Sequence, residues 1–259
     1  MRQAPYHRGS RPSLPLQGGS ATIMSSVISE HFYEEGAMGV MLAEGDTLTS
    51  TEVAAVASVS TRYVSHLIEE SILPAELYAR DGKRWFRPSA AAFVAFDSQV
   101  ADVLTPGARR TAIQELLSRY HAALADSDAW LRWTDPSDLG VTIGPIKVDM
   151  VDVFRRVAES LNALAESRAL VVRDPEILSG TPIIRGTRIP VYDVAASAEK
   201  GLPMERILRA YSDLTARDVE LARLWAKANP PMGRPKKAIG PADPGTVTAK
   251  RVTRLRGAA

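Results

Sequence analysis

The sequence predicts a mainly α-helical chain, and two observations lead to this fold class. Apolar residues recur every three or four positions through most of the chain between residues 47 and 229, in runs bounded by helix-starting and helix-stopping residues. Segments of extended character are short and surround turn residues, as at Gly82 and Gly186. We therefore expect helices with only a few short strands. The predicted segments of the chain are 1–46, 47–104, 105–169, 170–229 and 230–259.

The segment 47–104 begins with two helices that carry their own start signals. Thr49 and Glu52 have the spacing of a capping box, and a short turn at Ser58 leads to Ser60, the expected N-cap of the second helix. The helical period turns the apolar residues of this second helix inward and leaves a polar outer face. The inward residues are Val64, Leu67 and Ile68, and the outer face holds Thr61, Arg62, Ser65, His66 and Glu69.

A basic hairpin is predicted to follow the two helices. Asp81-Gly82 is a two-residue turn signal between the strand candidates 77–80 and 83–87. Helix, turn, helix and basic hairpin in this order resemble the winged helix-turn-helix of excisionase-like and MerR-like regulators. That resemblance implies DNA binding, with the second helix in the major groove and the hairpin as a wing on phosphates. The candidates for base contact are Thr61, Arg62, Ser65 and His66, and those for phosphate contact are Arg80, Lys83, Arg84 and Arg87.

An alternative interpretation of the same unit is a helix-turn-helix retained as a protein-interaction module. Glu69, Glu70 and Glu76 lie close to the basic residues in sequence, and the charges of the unit roughly cancel. A weak net charge lowers the nonspecific attraction to DNA. We favour DNA binding because the bases of the hairpin are clustered.

The segment 105–169 is predicted to be a helical connector with a short β pair. Thr105 is placed to cap a helix that starts at Pro106, and Asp149 to cap a second helix. Strand candidates at 141–143 and 146–148 lie between them. The apolar stripes are Ile113, Leu116, Leu117, Tyr120 and Leu124 in the first helix and Val153, Phe154, Val157, Leu161 and Leu164 in the second. We expect the second stripe to pack against the chain's own core, with a dimer seam as the alternative.

The segment 170–229 is predicted to contain a tight loop followed by three short helices, a trihelical unit similar to a helix-turn-helix. Gly186 can supply a positive φ between two short extended pieces. The expected helices are Val191 to Lys200 with Gly201 after it, Met204 to Tyr211, and Ala216 to near Asn229, with Val219, Ala222 and Leu224 inward. Thr215 and Asp218 have capping-box spacing at the start of the third helix.

Three motifs occur in order in this last segment. They are Asp-Pro-Glu-Ile-Leu at 174–178, Ile-Arg-Gly-Thr-Arg-Ile-Pro-Val at 184–191 and Asp-Leu-Thr at 213–215. The segment resembles the antitoxin-associated family known as domain of unknown function 433. The resemblance implies a DNA-binding antitoxin of a VapBC-like pair, which neutralises a PIN-like ribonuclease toxin and represses its own operon as a dimer. The alternative is a stand-alone helix-turn-helix transcription factor with a C-terminal dimerisation or sensing module.

Arg185 and Arg188 are candidates for partner binding because they bracket Gly186 in the most distinctive loop of the chain. Their guanidinium groups suit a phosphate or the carboxylates of a partner protein. A structural role is the alternative, in which the arginines tie the loop to Asp174 or Glu176. The residue pattern leaves both possibilities open.

Both ends of the chain have a composition typical of disordered segments. Residues 1–22 are rich in Gly, Pro, Ser and Arg, and Met24 is a second candidate start. After Pro231 the chain carries seven bases and one acid. Arg251, Arg254 and Arg256 alternate there with apolar residues, and we expect this arm to order against an acidic toxin surface. A solvating tail, or one that adds nonspecific DNA affinity, is the alternative.

Composition argues against several other functions. The chain has no cysteine, which removes disulfides and thiolate chemistry, and its four histidines lack metal-ligand spacing. No apolar run approaches the length of a membrane-spanning helix, and the N-terminus lacks an apolar signal core. We therefore expect a cytoplasmic protein that is not an enzyme and needs no metal or cofactor.

Overall fold

The computed structural model describes residues 46–124, 140–143 and 146–231, and these residues form a mainly helical fold, as the sequence predicts. The helices are α1 (Ser50–Val56), α2 (Thr61–Glu69), α3 (Ala90–Val100), α4 (Pro106–Leu124), α5 (Val151–Leu170), α6 (Val191–Glu199), α7 (Met204–Ala210) and α8 (Ala216–Ala228). The strands are β1 (Leu48–Thr49), β2 (Tyr78–Asp81), β3 (Lys83–Phe86), β4 (Gly140–Ile143), β5 (Ile146–Asp149), β6 (Val171–Val172) and β7 (Ile183–Ile184). All of the strands pair antiparallel in small sheets.

The predicted caps of α1 and α2 are confirmed. The Thr49 hydroxyl accepts from the Glu52 amide at 3.3 Å, and the Glu52 carboxylate accepts from the Thr49 amide at 2.8 Å. Ser60 accepts from the Tyr63 amide at 3.1 Å and starts α2. Between the helices Ser58 adopts a left-handed φ of 57°, a conformation that glycine adopts more easily. The chain therefore turns sharply from α1 into α2.

The predicted basic hairpin is also confirmed, with one difference at the turn. Asp81 pairs with Lys83, so that Gly82, at φ +63°, is the sole residue between paired positions rather than half of a two-residue turn. β3 also pairs with β1, which the sequence did not predict, and the sheet order is β1-β3-β2. Leu48 lies opposite Phe86 in this register, and both side chains are fully buried. The hairpin is thereby fixed to the start of α1.

Helical periodicity in the sequence does not predict α3, for a physical reason. Every residue from Ala90 to Asp97 is buried. A helix enclosed on all sides has no polar face, and its apolar residues therefore show no 3.6-residue period. α3 fills the space between α4, α1 and α5.

The connector carries the predicted helices and the predicted β pair. Thr105 accepts from the Ala108 amide at 3.3 Å, as expected of a cap. Asp149 accepts from the Val151 amide at 2.9 Å, but it precedes the N-cap residue Met150, so the helix start was placed one residue early. The apolar residues of α4 that the structure describes, Ile113, Leu116 and Leu117, are buried, whereas the side chains of Tyr120 and Leu124 lie outside the described residues.

The predicted stripe of α5 packs inside this chain. Its five residues, Val153, Phe154, Val157, Leu161 and Leu164, are all buried against other elements of the same chain. Phe154 meets Phe93 of α3 edge to face, with ring centroids 6.2 Å apart. Packing against the chain's own core, rather than the dimer seam, is therefore the role that this stripe has in the structure.

The C-terminal loop and helices follow the prediction closely. The Ile184 amide donates to Ile189 and the Thr187 amide donates back to Ile184, both at 3.0 Å, around Gly186 at φ +77°. Thr215 and Asp218 form a capping box at the start of α8. Two features differ from the prediction. β6 pairs with β7, and the inward face of α8 holds Leu221 and Trp225 with Val219 and Ala222, whereas Leu224 is half-buried.

α8 joins the C-terminal helices to the N-terminal ones. It packs against α6 and α5, and also against α1. Its last residue, Ala228, belongs to the apolar cluster that is centred on α1 to α5, while Val219 and Trp225 belong to the C-terminal cluster. The first cluster also continues past residue 104 into Ile113 and Leu116 of α4. Helices from the predicted N-terminal, connector and C-terminal segments thus share one packed body, and the proposed boundaries stay predictions.

Candidate nucleic-acid interface

α2 presents the polar face that the sequence predicts. Val64 and Leu67 are fully buried, which turns the opposite side of the helix outward. On that side Thr61, Arg62 and His66 are exposed, and Ser65 is half-buried. Two hydroxyls, a guanidinium and an imidazole therefore lie along two turns of one helix. These groups can donate to and accept from the edges of bases.

One side chain of the hairpin reaches this face of α2. Arg84 of β3 donates from Nη1 to the Ser65 hydroxyl at 3.3 Å. Arg80 is the direct cross-strand partner of Arg84, which places the two side chains on the same face of the hairpin. Lys83 is exposed next to the turn. The fold thus brings Arg84 of the hairpin into contact with Ser65 of the helix, with Arg80 on the same face of the hairpin as Arg84.

Arg87 is the phosphate candidate that lies apart from this arrangement. It follows the last residue of β3, and its Nε donates to the backbone carbonyl of Glu76 at 3.1 Å. The bond ties the end of the hairpin to the short 3-10 helix Ala75–Leu77. Arg87 therefore has a structural partner, and its contact with phosphate stays a prediction.

A buried charged cluster lies directly behind α2, and the sequence patterns do not predict it. The Tyr63 hydroxyl donates to Asp97 at 2.6 Å. Arg109 of α4 donates from Nη1 to both oxygens of the same carboxylate, at 2.7 and 2.9 Å. Asp97 is fully buried and Arg109 is 8% exposed. The one sequence signal for this cluster is Asp97, an acid directly after the apolar run Ala90 to Phe96, because an acid that is buried with this run requires a partner.

The phenol of Tyr63 is held in its protonated form. Burial raises the pKa of Tyr63 above its ordinary value, and the hydrogen bond to Asp97 raises it further. A protonated phenol is a donor, and the carboxylate of Asp97 is an acceptor. The Tyr63–Asp97 bond is therefore present throughout the physiological pH range.

Two acids that make the net charge of the N-terminal unit negative are paired with arginines inside the fold. Residues 47–104 contain five Lys and Arg against seven Asp and Glu. Asp97 is paired with Arg109, and Glu52, which is 1% exposed, accepts from Arg168 of α5 at 2.9 Å. Both arginines come from outside the unit. The surface around α2 is consequently less acidic than the linear count suggests.

Arg185 makes a contact that differs from the one considered in the sequence. Its Nε donates to the Ala169 carbonyl at 2.8 Å, and its amide donates to Leu170, also at 2.8 Å. Arg185 thus closes the C-terminal end of α5 instead of tying the loop to Asp174 or Glu176. Arg188 is exposed at the other side of the loop. Partner binding by these two arginines stays a prediction.

Some expectations fall on parts of the chain that the structure leaves undescribed. Arg251, Arg254 and Arg256, and the segments 1–45 and 232–259, lie outside the described residues. Within the described ranges, no helix is both long and apolar enough to span a membrane. The same ranges contain no group of three or more His, Asp or Glu side chains arranged to hold a metal ion.

The described residues define a mainly helical protein in which a polar helix lies beside a basic hairpin. The family described as "Protein of unknown function (DUF433)" matches residues 171–226. The chain is 37% identical over 221 residues to the uncharacterized protein y4eO of Sinorhizobium fredii (strain NBRC 101917 / NGR234), an alignment that covers 83% of this chain and 97% of y4eO. The chain belongs to the same family as y4eO. No solved structure matches it significantly.

Proposed function

We propose that this chain is a DNA-binding antitoxin, with α2 as the recognition helix in the major groove and the β2-β3 hairpin as a wing on the phosphate backbone. The observation that carries the DNA half is the Arg84–Ser65 contact, which sets the basic hairpin beside the exposed polar face of α2. Side chains on the polar face of such a helix read base edges, and basic side chains of a hairpin hold phosphates.

The charges of the hairpin support an anionic partner. Arg80 and Arg84 lie directly opposite each other across the strands, and like charges in that position destabilise a sheet. A phosphate between or beside them would offset this repulsion. On α2, Arg62 is exposed and suits a two-bond contact with guanine. Helix and hairpin thus offer base-reading and phosphate-binding groups on one side of the fold.

The antitoxin half of the proposal rests on the resemblance of the C-terminal segment. We propose that this segment and the basic tail bind a PIN-like ribonuclease and that the chain represses its own operon as a dimer. Arg188 is exposed for such a contact, and Arg251, Arg254 and Arg256 are the tail candidates. An arginine that reaches the acidic metal-binding site of a ribonuclease would block catalysis through charge-assisted bonds.

Lys83→Ala tests the DNA half. We expect weaker binding to all duplexes, including the DNA upstream of the chain's own gene, and a slope of log K against log salt that is smaller by about 0.9, because one phosphate contact is lost. Fluorescence anisotropy at several salt concentrations measures both. Lys200→Ala is the matched control, since Lys200 is an exposed lysine at the end of α6. Equal salt slopes for Lys83→Ala and wild type would contradict the proposed wing.

Co-expression with a PIN-like ribonuclease, the expected product of a gene adjacent to the chain's own, tests the antitoxin half. We expect the full chain to co-purify with that ribonuclease and to inhibit it, and the chain ending at Pro231 to lose most of this inhibition. If the full chain binds operator DNA but neither binds nor inhibits the neighbouring product, the stand-alone transcription factor is the better description.

A further inference from the structure

We propose that Tyr63 is a positioning residue for DNA recognition, whose hydrogen bond to Asp97 sets the orientation of α2 and thereby the register of the base-reading side chains. The inference rests on the proposed DNA-binding function and extends it to a residue that does not touch DNA. It concerns specificity, meaning the ratio of affinities for the preferred site and for unrelated DNA.

Tyr63 anchors the end of α2 on which recognition depends. It stands at the third position of the helix, directly after Thr61 and Arg62. Its amide donates to the Ser60 cap at 3.1 Å, and its hydroxyl donates to Asp97 of α3 at 2.6 Å. The first turn is therefore held both by the side-chain hydroxyl of its Ser60 cap and by a side chain from another helix. The second of these restraints determines where the turn lies relative to the rest of the fold.

The acceptor of this bond is itself held in place. Both oxygens of Asp97 accept from Arg109, and the carboxylate is fully buried. Arg109 belongs to α4, which packs on α3. Tyr63 is thus linked through one carboxylate to two further helices. A side chain locked by such a shell can hold a binding group to within about 0.5 Å of its productive position.

The same geometry predicts that loss of the Tyr63 hydroxyl lowers the specificity of DNA binding without unfolding α2. Removal of the Tyr63 hydroxyl leaves the Asp97–Arg109 pair intact, and Val64 and Leu67 still bury the inner face of α2. The helix is expected to remain folded while its first turn gains freedom. Hydrogen bonds to base edges lose strength under small displacements, whereas contacts with phosphates carry no sequence information and tolerate them. The loss should therefore fall on the preferred site.

Tyr63→Phe is the direct test, and Tyr192→Phe is its matched control. Tyr192 donates a bond of similar length, 2.7 Å, from α6 to the Asn229 carbonyl at the end of α8, so the control removes a phenol hydrogen bond at a site away from α2. The probes are a duplex that the wild-type protein selects from a random pool and an unrelated duplex of equal length. For Tyr63→Phe we expect the specificity ratio to fall about tenfold, with affinity for the unrelated duplex unchanged.

Three outcomes would overturn the inference. The first is a Tyr63→Phe protein that keeps the wild-type specificity ratio, whether both affinities are unchanged or both fall equally, since an equal fall indicates a merely structural role. The second is a Tyr192→Phe protein whose ratio falls to the same extent. The third is a wild-type protein that selects no preferred duplex, which overturns the proposed function together with this inference and is thereby distinguished from the first two.

Discussion

Arg109→Ala is expected to destabilise the folded chain by about 3–5 kcal/mol, because it leaves a buried carboxylate without its counter-charge. Asp97 is fully buried and accepts two hydrogen bonds from Arg109. The Tyr63 hydroxyl is a neutral donor and cannot replace a guanidinium. The change removes the link between α3 and α4 as well. Urea unfolding followed by circular dichroism measures the loss.

A double variant separates the charge from the packing. Asp97→Asn combined with Arg109→Met removes both charges and keeps most of the buried volume. We expect it to be more stable than Arg109→Ala, since replacing both partners of a buried pair costs less than orphaning one of them. If the free energy of unfolding of Arg109→Ala lies within about 1 kcal/mol of the wild-type value, the carboxylate is not held as the structure indicates.

The second large effect is expected at the contact between Glu52 and Arg168. Arg168→Met should destabilise the chain by about 3 kcal/mol, because Glu52 is 1% exposed and loses its cationic partner. The methionine retains the apolar stem, so the change chiefly removes the charge. Arg168 lies in the last turn of α5 and Glu52 in the first turn of α1, so their bond joins two residues that are 116 positions apart in sequence.

A double-mutant cycle isolates this interaction. Glu52→Gln alone, Arg168→Met alone and the double variant give an interaction free energy, which we expect to be about 2 kcal/mol. Thermal and urea unfolding of the four proteins provide the measurements. Strictly additive effects of the two substitutions would show that the ion pair does not couple α1 to α5.

Features that depend on residues close in sequence could be predicted from the sequence. The capping pairs Thr49 with Glu52 and Thr215 with Asp218 are three positions apart, and their hydrogen bonds form as expected. Gly82 and Gly186 both adopt the positive φ that their turns require. These bonds and dihedral angles need no distant partner, which is why a local pattern is sufficient to indicate them.

The outer face of α2 was also predictable, but its surroundings were not. The helical period places Thr61, Arg62 and His66 opposite the buried residues, and the structure shows them exposed. The Arg84–Ser65 contact spans 19 positions and depends on how the hairpin folds back. The sequence pattern does not show which hairpin residue comes within hydrogen-bonding distance of α2. The polar face of the candidate site therefore follows from the sequence of α2, whereas the position of the hairpin beside it follows from tertiary packing.

Local sequence patterns were sufficient to predict the capped starts of α1, α2 and α8, the positive-φ turns at Gly82 and Gly186 and the polar face of α2, because each depends on contacts within one helical turn or one tight loop. Three contacts depend instead on tertiary packing: Asp97 joins Tyr63 to Arg109, Arg185 closes the end of α5, and α8 packs on α1. A buried carboxylate requires a cationic partner, and the carbonyls at a helix end require hydrogen-bond donors. Many residues of the chain could supply either partner. The choice among them is made by the packing of apolar faces, which brings together residues far apart in the chain.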